Sequence, residues 1–259
     1  MTEKAIHVKG LRKSYGGKVA VDGLDLDVAY GECFALLGPN GAGKTTTVEI
    51  LEGHRTKDAG TVEIGPRKDE IGIVLQEVAD AADLTVLEMV SHFASYYPNP
   101  RPPAEVIGFV DLQPKARIRT LSGGQRRRLD VAIGIVGRPR LLFLDEPTTG
   151  FDPQARRHFW ALIKALEDTT IVLTTHYLEE AEALASRVAV IAQGRIVAEG
   201  DPKTLGGRAT AKATVRWDGG ETQTDDPAAL VASLGEVKGL TVTRPSLEDV
   251  YLQLIGEGK

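Results

Sequence analysis

The chain has 259 residues, 42% hydrophobic and 26% charged, the balance of a soluble globular protein with room for one large α/β domain and at most a small appendage. A net charge of −5 argues against the basic surface of a nucleic-acid binder, and the single cysteine, Cys33, excludes a disulfide framework or a cysteine metal cluster within the chain. No stretch approaches the roughly 20 apolar residues that span a bilayer, and residues 1–10 lack a signal-peptide apolar region. A cytoplasmic chain is therefore expected, one that reaches a membrane only by docking on another protein.

In chain order, residues 5–8, 19–21 and 24–28 read as strands. Residues 33–37 form a buried strand ending in a glycine-rich turn, and 46–51 continue as a helix with Gly53 just past its end. Residues 61–64 and 71–75 are again strand-like. From 77 to about 137 the character becomes helical: Leu84, Leu87, Val90 and Phe93 recur at helical spacing, a proline-dense loop spans 98–103, and helical patterns follow at 105–110 and 125–136. The α/β pattern then resumes with an apolar strand at 141–144. Asp152–Pro153 gives an N-cap with proline at the first helical position, and Phe159, Leu162, Ile163 and Leu166 share a face. Next come a strand at 170–174, a helix at 178–185 and a hairpin of 188–192 with 195–198 across Gln193–Gly194. In the tail, 211–217 and 221–224 suggest a small hairpin around Gly219–Gly220. Leu247, Val250, Tyr251 and Leu254 form a final amphipathic helix, started by Ser246 with Asp249 and stopped by Gly256.

Three segments carry chemistry. Gly38-Pro39-Asn40-Gly41-Ala42-Gly43-Lys44-Thr45 fits G-x-x-x-x-G-K-[ST], after an apolar strand and before a helix. Glycines let backbone N–H groups surround phosphates, and the helix N-terminus adds positive partial charge. Lys44 suits the β- and γ-phosphates, the Thr45 hydroxyl suits Mg²⁺, and Thr46 suits the α-phosphate. Second, four apolar residues deliver Asp145 and Glu146 to the end of a strand, the edge where phosphates bind in open α/β sheets. Asp145 suits the Mg²⁺ shell, and Glu146 suits a general base that orients water.

Third, Leu121-Ser122-Gly123-Gly124-Gln125 opens a helix about 20 residues before the acidic pair. This segment resembles the LSGGQ signature of the ABC ATPase family, and the order of the three motifs is similar to that family's. The resemblance covers residues from about 4 to 205. It implies an α/β P-loop NTPase (RecA-like) core with an N-terminal antiparallel β subdomain, an α-helical insert and a small C-terminal α+β appendage. The division it implies is an ATPase domain over 1–205, with its helical subdomain at about 77–137, and a dimerisation or regulatory appendage over 206–259.

In such a protein Ser122, Gly123 and Gly124 cap the γ-phosphate of ATP bound by a second copy of the chain. The resemblance further implies that Tyr15 stacks on adenine, that Gln76 reaches Mg²⁺ and the attacking water, and that His176 contacts the γ-phosphate and holds Glu146. Gly150-Phe151-Asp152 corresponds to a loop that touches the opposing subunit; the family usually has leucine where Phe151 stands. The excursion at 60–70 is shorter than usual. Arg126–Arg128 read as a solvated helix face, Cys33 as a buried apolar residue, and His7, His54, His92 and His158 as structural. Gln76-Glu77, the Leu129-Asp130-Val131-Ala132 segment and the ending at 245–251 lean toward bacterial drug exporters. The expectation is an ATP- and Mg²⁺-dependent ATPase subunit, homodimeric, peripheral at the cytoplasmic face of the membrane through a separate permease, with no nucleic-acid partner. A soluble ABC ATPase acting on nucleic acid or the ribosome is the alternative.

Overall fold

A computed structural model describes residues 3–74, 82–208 and 210–256. Among these residues the central sheet has six strands in the order β5-β6-β7-β3-β8-β9. They are β3 (Cys33–Leu37), β5 (Ile71–Val74), β6 (Leu141–Asp145), β7 (Thr170–Thr175), β8 (Arg187–Ala192) and β9 (Arg195–Gly200). All neighbours pair in parallel except the β8–β9 hairpin. Its turn, Gln193–Gly194, has positive φ at both residues (49° and 78°), the backbone a two-residue hairpin requires. A second sheet, β2-β1-β4, is antiparallel, with β1 (Lys4–Tyr15), β2 (Lys18–Ala29) and β4 (Ala59–Ile64).

The period of two along each strand assigns residues to the two faces of the central sheet. Phe34 and Leu36 of β3, with Leu141 and Phe143 of β6, pack toward β1 and β2. Ala35 and Leu37, with Leu142 and Leu144, pack toward the helices α2 (Val86–Ala94), α3 (Pro103–Phe109), α4 (Gly123–Val136), α5 (Pro153–Lys164) and α6 (Leu178–Leu184). Leu141 to Leu144 have no exposed surface, each contributing about 1.5–3 kcal/mol by burial. A strand covered on both faces reads as a continuous apolar run, which is why β6 is legible in the sequence.

Most expected elements lie where the sequence puts them, with differences in α2, in the N-terminal strands and in the tail. The helical stripe assigned to Leu84, Leu87, Val90 and Phe93 is rotated. Leu84 precedes α2 and Leu87 is 40% exposed, while Val90 is buried and Phe93 packs against the core as expected; Val86, Met89 and Ala94 complete the covered side. The short segments 5–8, 19–21 and 24–28 belong to two long strands, β1 and β2. The tail contains more than a hairpin: β10 (Ala213–Trp217) is flanked by β11 (Gly220–Thr224) and β12 (Thr241–Thr243), with α7 (Pro227–Leu234) against β10. The hairpin turns at Asp218–Gly219 rather than at Gly219–Gly220, because Trp217 pairs with Gly220. The last helix, α8 (Leu247–Gly256), runs to Gly256, the last described residue. Ser246 and Asp249 do form the expected capping box, at 2.7 and 3.1 Å, and Leu247 joins the core of the main domain.

Candidate nucleotide site

The loop after β3 is shaped by close packing at two glycines. A Cβ on Gly43 (φ 106°) would lie 2.3 Å from the Ala20 carbonyl oxygen, and one on Gly38 would lie 2.5 Å from that of Ile191; a side chain at either would force the backbone to move. Gly43 is also the N-cap of α1 (Lys44–Leu51) and has no side chain to cap it, so the first amides of α1 are left for a ligand. The loop is anchored from outside as well: Gly194 N–H donates to Ala42 O (2.9 Å) and Asp22 N–H to Gly194 O (2.9 Å).

Lys44 is only 4% exposed. Its ammonium donates to Gly38 O at 2.8 Å and Pro39 O at 3.2 Å, and lies 3.5 Å from Glu146 Oε1. The same carboxylate oxygen is 3.4 Å from His176 Nδ1, a buried atom with no hydrogen bond of its own. Sheet order produces this meeting. β7 lies between β6 and β3, with Leu37 opposite Thr175 and Asp145 opposite Thr174, so the loop, the acidic pair and His176 leave one sheet edge side by side.

Thr174 secures the acidic pair, a function not visible in the sequence. Its hydroxyl donates to Asp145 Oδ1, and its Oγ1 and carbonyl both accept from Glu146 N–H, at 3.0 and 3.2 Å. Glu146 itself has φ 42°, a left-handed conformation that costs a non-glycine residue roughly 1–2 kcal/mol. Glu52, just past α1, lies in no motif. Burial, with Asp145 and Glu49 nearby, pushes its carboxyl up to about 7.

A cavity of about 390 Å³ opens over the loop, lined by Tyr15, Lys18, Ala20, Asn40, Gly41, Gly43, Lys44, Thr45, Thr46 and Glu146. Tyr15 is 41% exposed at its rim, with cations of Lys13 and Arg55 at 5.3 and 5.6 Å from its ring centroid. Lys18 and Ala20 were missed; the β1–β2 pairing of Tyr15 with Lys18 brings them in. Among the described residues no three His, Cys, Asp or Glu side chains form a metal cage. The oxygens of Thr45 and Asp145 suit Mg²⁺, which keeps waters and phosphates in its shell and needs few protein ligands. Gln76 lies outside the described residues.

The Leu121–Gln125 segment is elsewhere: none of its residues lines the cavity. Ser122 caps α4 in a capping box with Gln125, at 2.9 and 3.3 Å, and Ser122 and Gly123 face outward. Asp152 caps α5, accepting from Gln154 and Ala155 N–H at 2.9 Å each. Gly150 (φ 80°) turns the chain before it, and the Phe151 ring packs edge-on against core Phe159. The expected solvated face at 126–128 is overturned. Arg126 is exposed, but Arg127 is 7% exposed and Arg128 donates to Val110 O and Asp111 O at 3.1 and 2.9 Å. Arginine is long enough to reach inward from a helix that otherwise packs with apolar residues.

A glycine loop on a central parallel strand, with acids on a nearby one and an α-helical insert between, defines a P-loop nucleoside triphosphatase of the ATP-binding-cassette class. Residues 21–149 match the ABC transporter family. The Nod factor export ATP-binding protein I of Rhizobium sp. (strain N33) is 38% identical, covering 99% of this chain and 98% of its own length. That of Paraburkholderia xenovorans (strain LB400) is 44% identical over 79% of this chain and 73% of its own. Among solved structures, cbiO1 from Clostridium perfringens, part of the ABC transporter complex cbiONQ, superposes with TM-score 0.69 at 26% identity, covering 78% of this chain and 90% of that one. A dimeric post-hydrolysis cassette bound to ADP and Pi superposes with TM-score 0.67 at 23% identity, over 76% of this chain and 98% of that one. The chain belongs to the ABC transporter family and is an ATP-binding, ATP-hydrolysing subunit of it.

Proposed function

We propose that this chain is the ATPase of an exporter and works as a pair of identical subunits on a separate membrane permease. The export reading is supported by full-length similarity to proteins named for Nod factor export. The permease is supported by similarity to cbiO1, named as part of a transporter complex; among the described residues no helix is long and apolar enough to cross a membrane. The chain then sits at the cytoplasmic face of the membrane through that partner. The observation that carries the catalytic assignment is the convergence of Lys44 and His176 on one oxygen of Glu146, beside the cavity.

In this reading α1's amides and Lys44 grip the phosphates, and Tyr15 stacks on the base. When ATP enters, Lys44 turns to the β- and γ-phosphates and releases Glu146, which then orients water for in-line attack. His176 holds that carboxylate and reaches the γ-phosphate. Thr45 and Asp145, with Gln76, would hold Mg²⁺, which would supply charge neutralisation for the phosphoryl oxygens. Ser122, Gly123 and Gly124 complete the second copy's site, and the 150–152 loop borders it. The segment 206–259 is an appendage for pairing or regulation. A nucleic-acid or ribosome function is not favoured by the net charge of −5 or by the relatives.

The test is Glu146→Gln. Phosphate release should fall by about 10²–10⁴, while ATP with Mg²⁺ doubles the mass in light scattering. Near-parental turnover, or a monomer under ATP, would reject the assignment.

A further inference from the structure

We propose that Arg127 is a positioning residue for the catalytic carboxylate: from the helix that opens at the signature, it grips the backbone on both sides of Glu146 and holds that residue in its left-handed turn. The inference rests on Glu146 being the base. Arg127 Nε donates to Pro147 O at 3.0 Å and Nη2 to Asp145 O at 3.0 Å. These are the carbonyls immediately before and after residue 146. The guanidinium is buried, and its Nη1 lies 3.6 Å from Asp130 Oδ2, itself buried one turn further along α4.

Three considerations give the arrangement a function beyond packing. First, φ 42° at Glu146 is a conformation that persists only where the surroundings over-determine it. The N–H of the Asp145–Glu146 peptide is already held by Thr174; Arg127 holds the carbonyl of that same peptide and the Pro147 carbonyl beyond Glu146. Second, guanidinium is suited to this task. Its planar fork presents several donors in a fixed geometry, whereas an ammonium is a point charge on a flexible stem. Third, a charge this deep is costly unless paired and hydrogen-bonded, and Asp130 pairs it. An apolar side chain would fill the same space at less electrostatic cost, but could not hold two carbonyls.

The consequence is mechanical. Arg127 stands two residues beyond Gln125, which closes the capping box with Ser122. In the paired reading Ser122 faces the other copy's ATP, so engagement of the signature and placement of this chain's own base share one rigid helix.

The test uses full-length Arg127→Lys, which keeps the charge opposite Asp130 but loses the fork. Expected are an ATP Kd within about twofold of the parent and a kcat lower by about tenfold or more, since an ångström of misplacement costs up to roughly 10². In a Glu146→Gln background the same substitution should change residual turnover by less than about twofold, because groups that act as a unit are not additive. Should the lysine disturb folding, Arg127→Gln with Asp130→Asn leaves no unpaired buried charge, and the same kcat-only loss is expected. Parental kcat in both folded variants, or an equal fold-loss with and without Glu146, overturns the proposal. Parental turnover in Glu146→Gln alone shows instead that the base is misassigned, a failure visible before Arg127 is touched, and the proposal falls with it.

Discussion

The helix after Gly43 and the helix after Ser122 each have a glycine at the cap or the first position and both present N-terminal amides, yet they are furnished differently. α1 has no side-chain cap, and its end is enclosed: Lys44 is buried beneath it, with Glu146 and His176 beside it. α4 is capped by its own Ser122 and Gln125, and its first residues face outward. The same anion-binding physics is thus a nearly complete site in one place and an open surface in the other. An uncapped helix end needs a ligand; a self-capped end is stable in water until a partner brings one.

Substitutions at the two ends should separate them. The largest effect is expected from Lys44→Ala. Losing a charge-assisted hydrogen bond of about 1.5–3 kcal/mol should weaken ATP binding by about tenfold to a hundredfold by calorimetric titration; an unchanged Kd would mean the enclosed end is not the phosphate site. At the open end, Ser122→Ala should leave the ATP affinity of a single chain unaltered. It should cost about 1 kcal/mol of stability through the lost cap and abolish ATP-dependent pairing. Weaker ATP binding by the monomer would erase the contrast.

A subtler effect lies between the two ends. The Glu52 carboxyl is raised from 4.5 to about 7, chiefly by burial and then by Asp145 and Glu49. The folded state therefore binds its proton more tightly than the unfolded state does. That contribution to stability is complete below about pH 4.5 and is lost as pH rises through about 7. Glu52→Gln should raise the urea midpoint relative to the parent at about pH 8 and not at about pH 4.5. An equal change at both would locate the effect in packing. The smallest effect is expected for Asp152→Ala, about 1 kcal/mol from the α5 cap. It should appear as a drop of about 2–4 °C in Tm, with the ATP Kd untouched.

The segments proposed to carry the chemistry were legible as motifs because each is contiguous. A glycine loop needs its glycines where the backbone crowds Ala20 and Ile191, and a strand buried on both faces must be apolar until its polar end. Caps at Asp152 and Ser246 were legible for the same reason: donor and acceptor are three residues apart or fewer. Less was legible in the helical insert and the tail. The periodicity of α2 located a helix but not its covered side, which α3 and α4 decide. Residues 227–243 offered too short a pattern for α7 and β12 to stand out.

By itself, the order of residues determined which chemical groups this protein possesses and the local turns that hold them, because those turns depend on sterics and hydrogen bonds within a few residues. Only the tertiary structure decided who meets whom. Insertion of β7 between β6 and β3 brings His176 to Glu146, and the packing of α4 turns Arg127 from a surface cation into a buried clamp. Both depend on contacts between segments about 20 to 30 residues apart or more, which strand pairing and burial select and which no short-range pattern encodes.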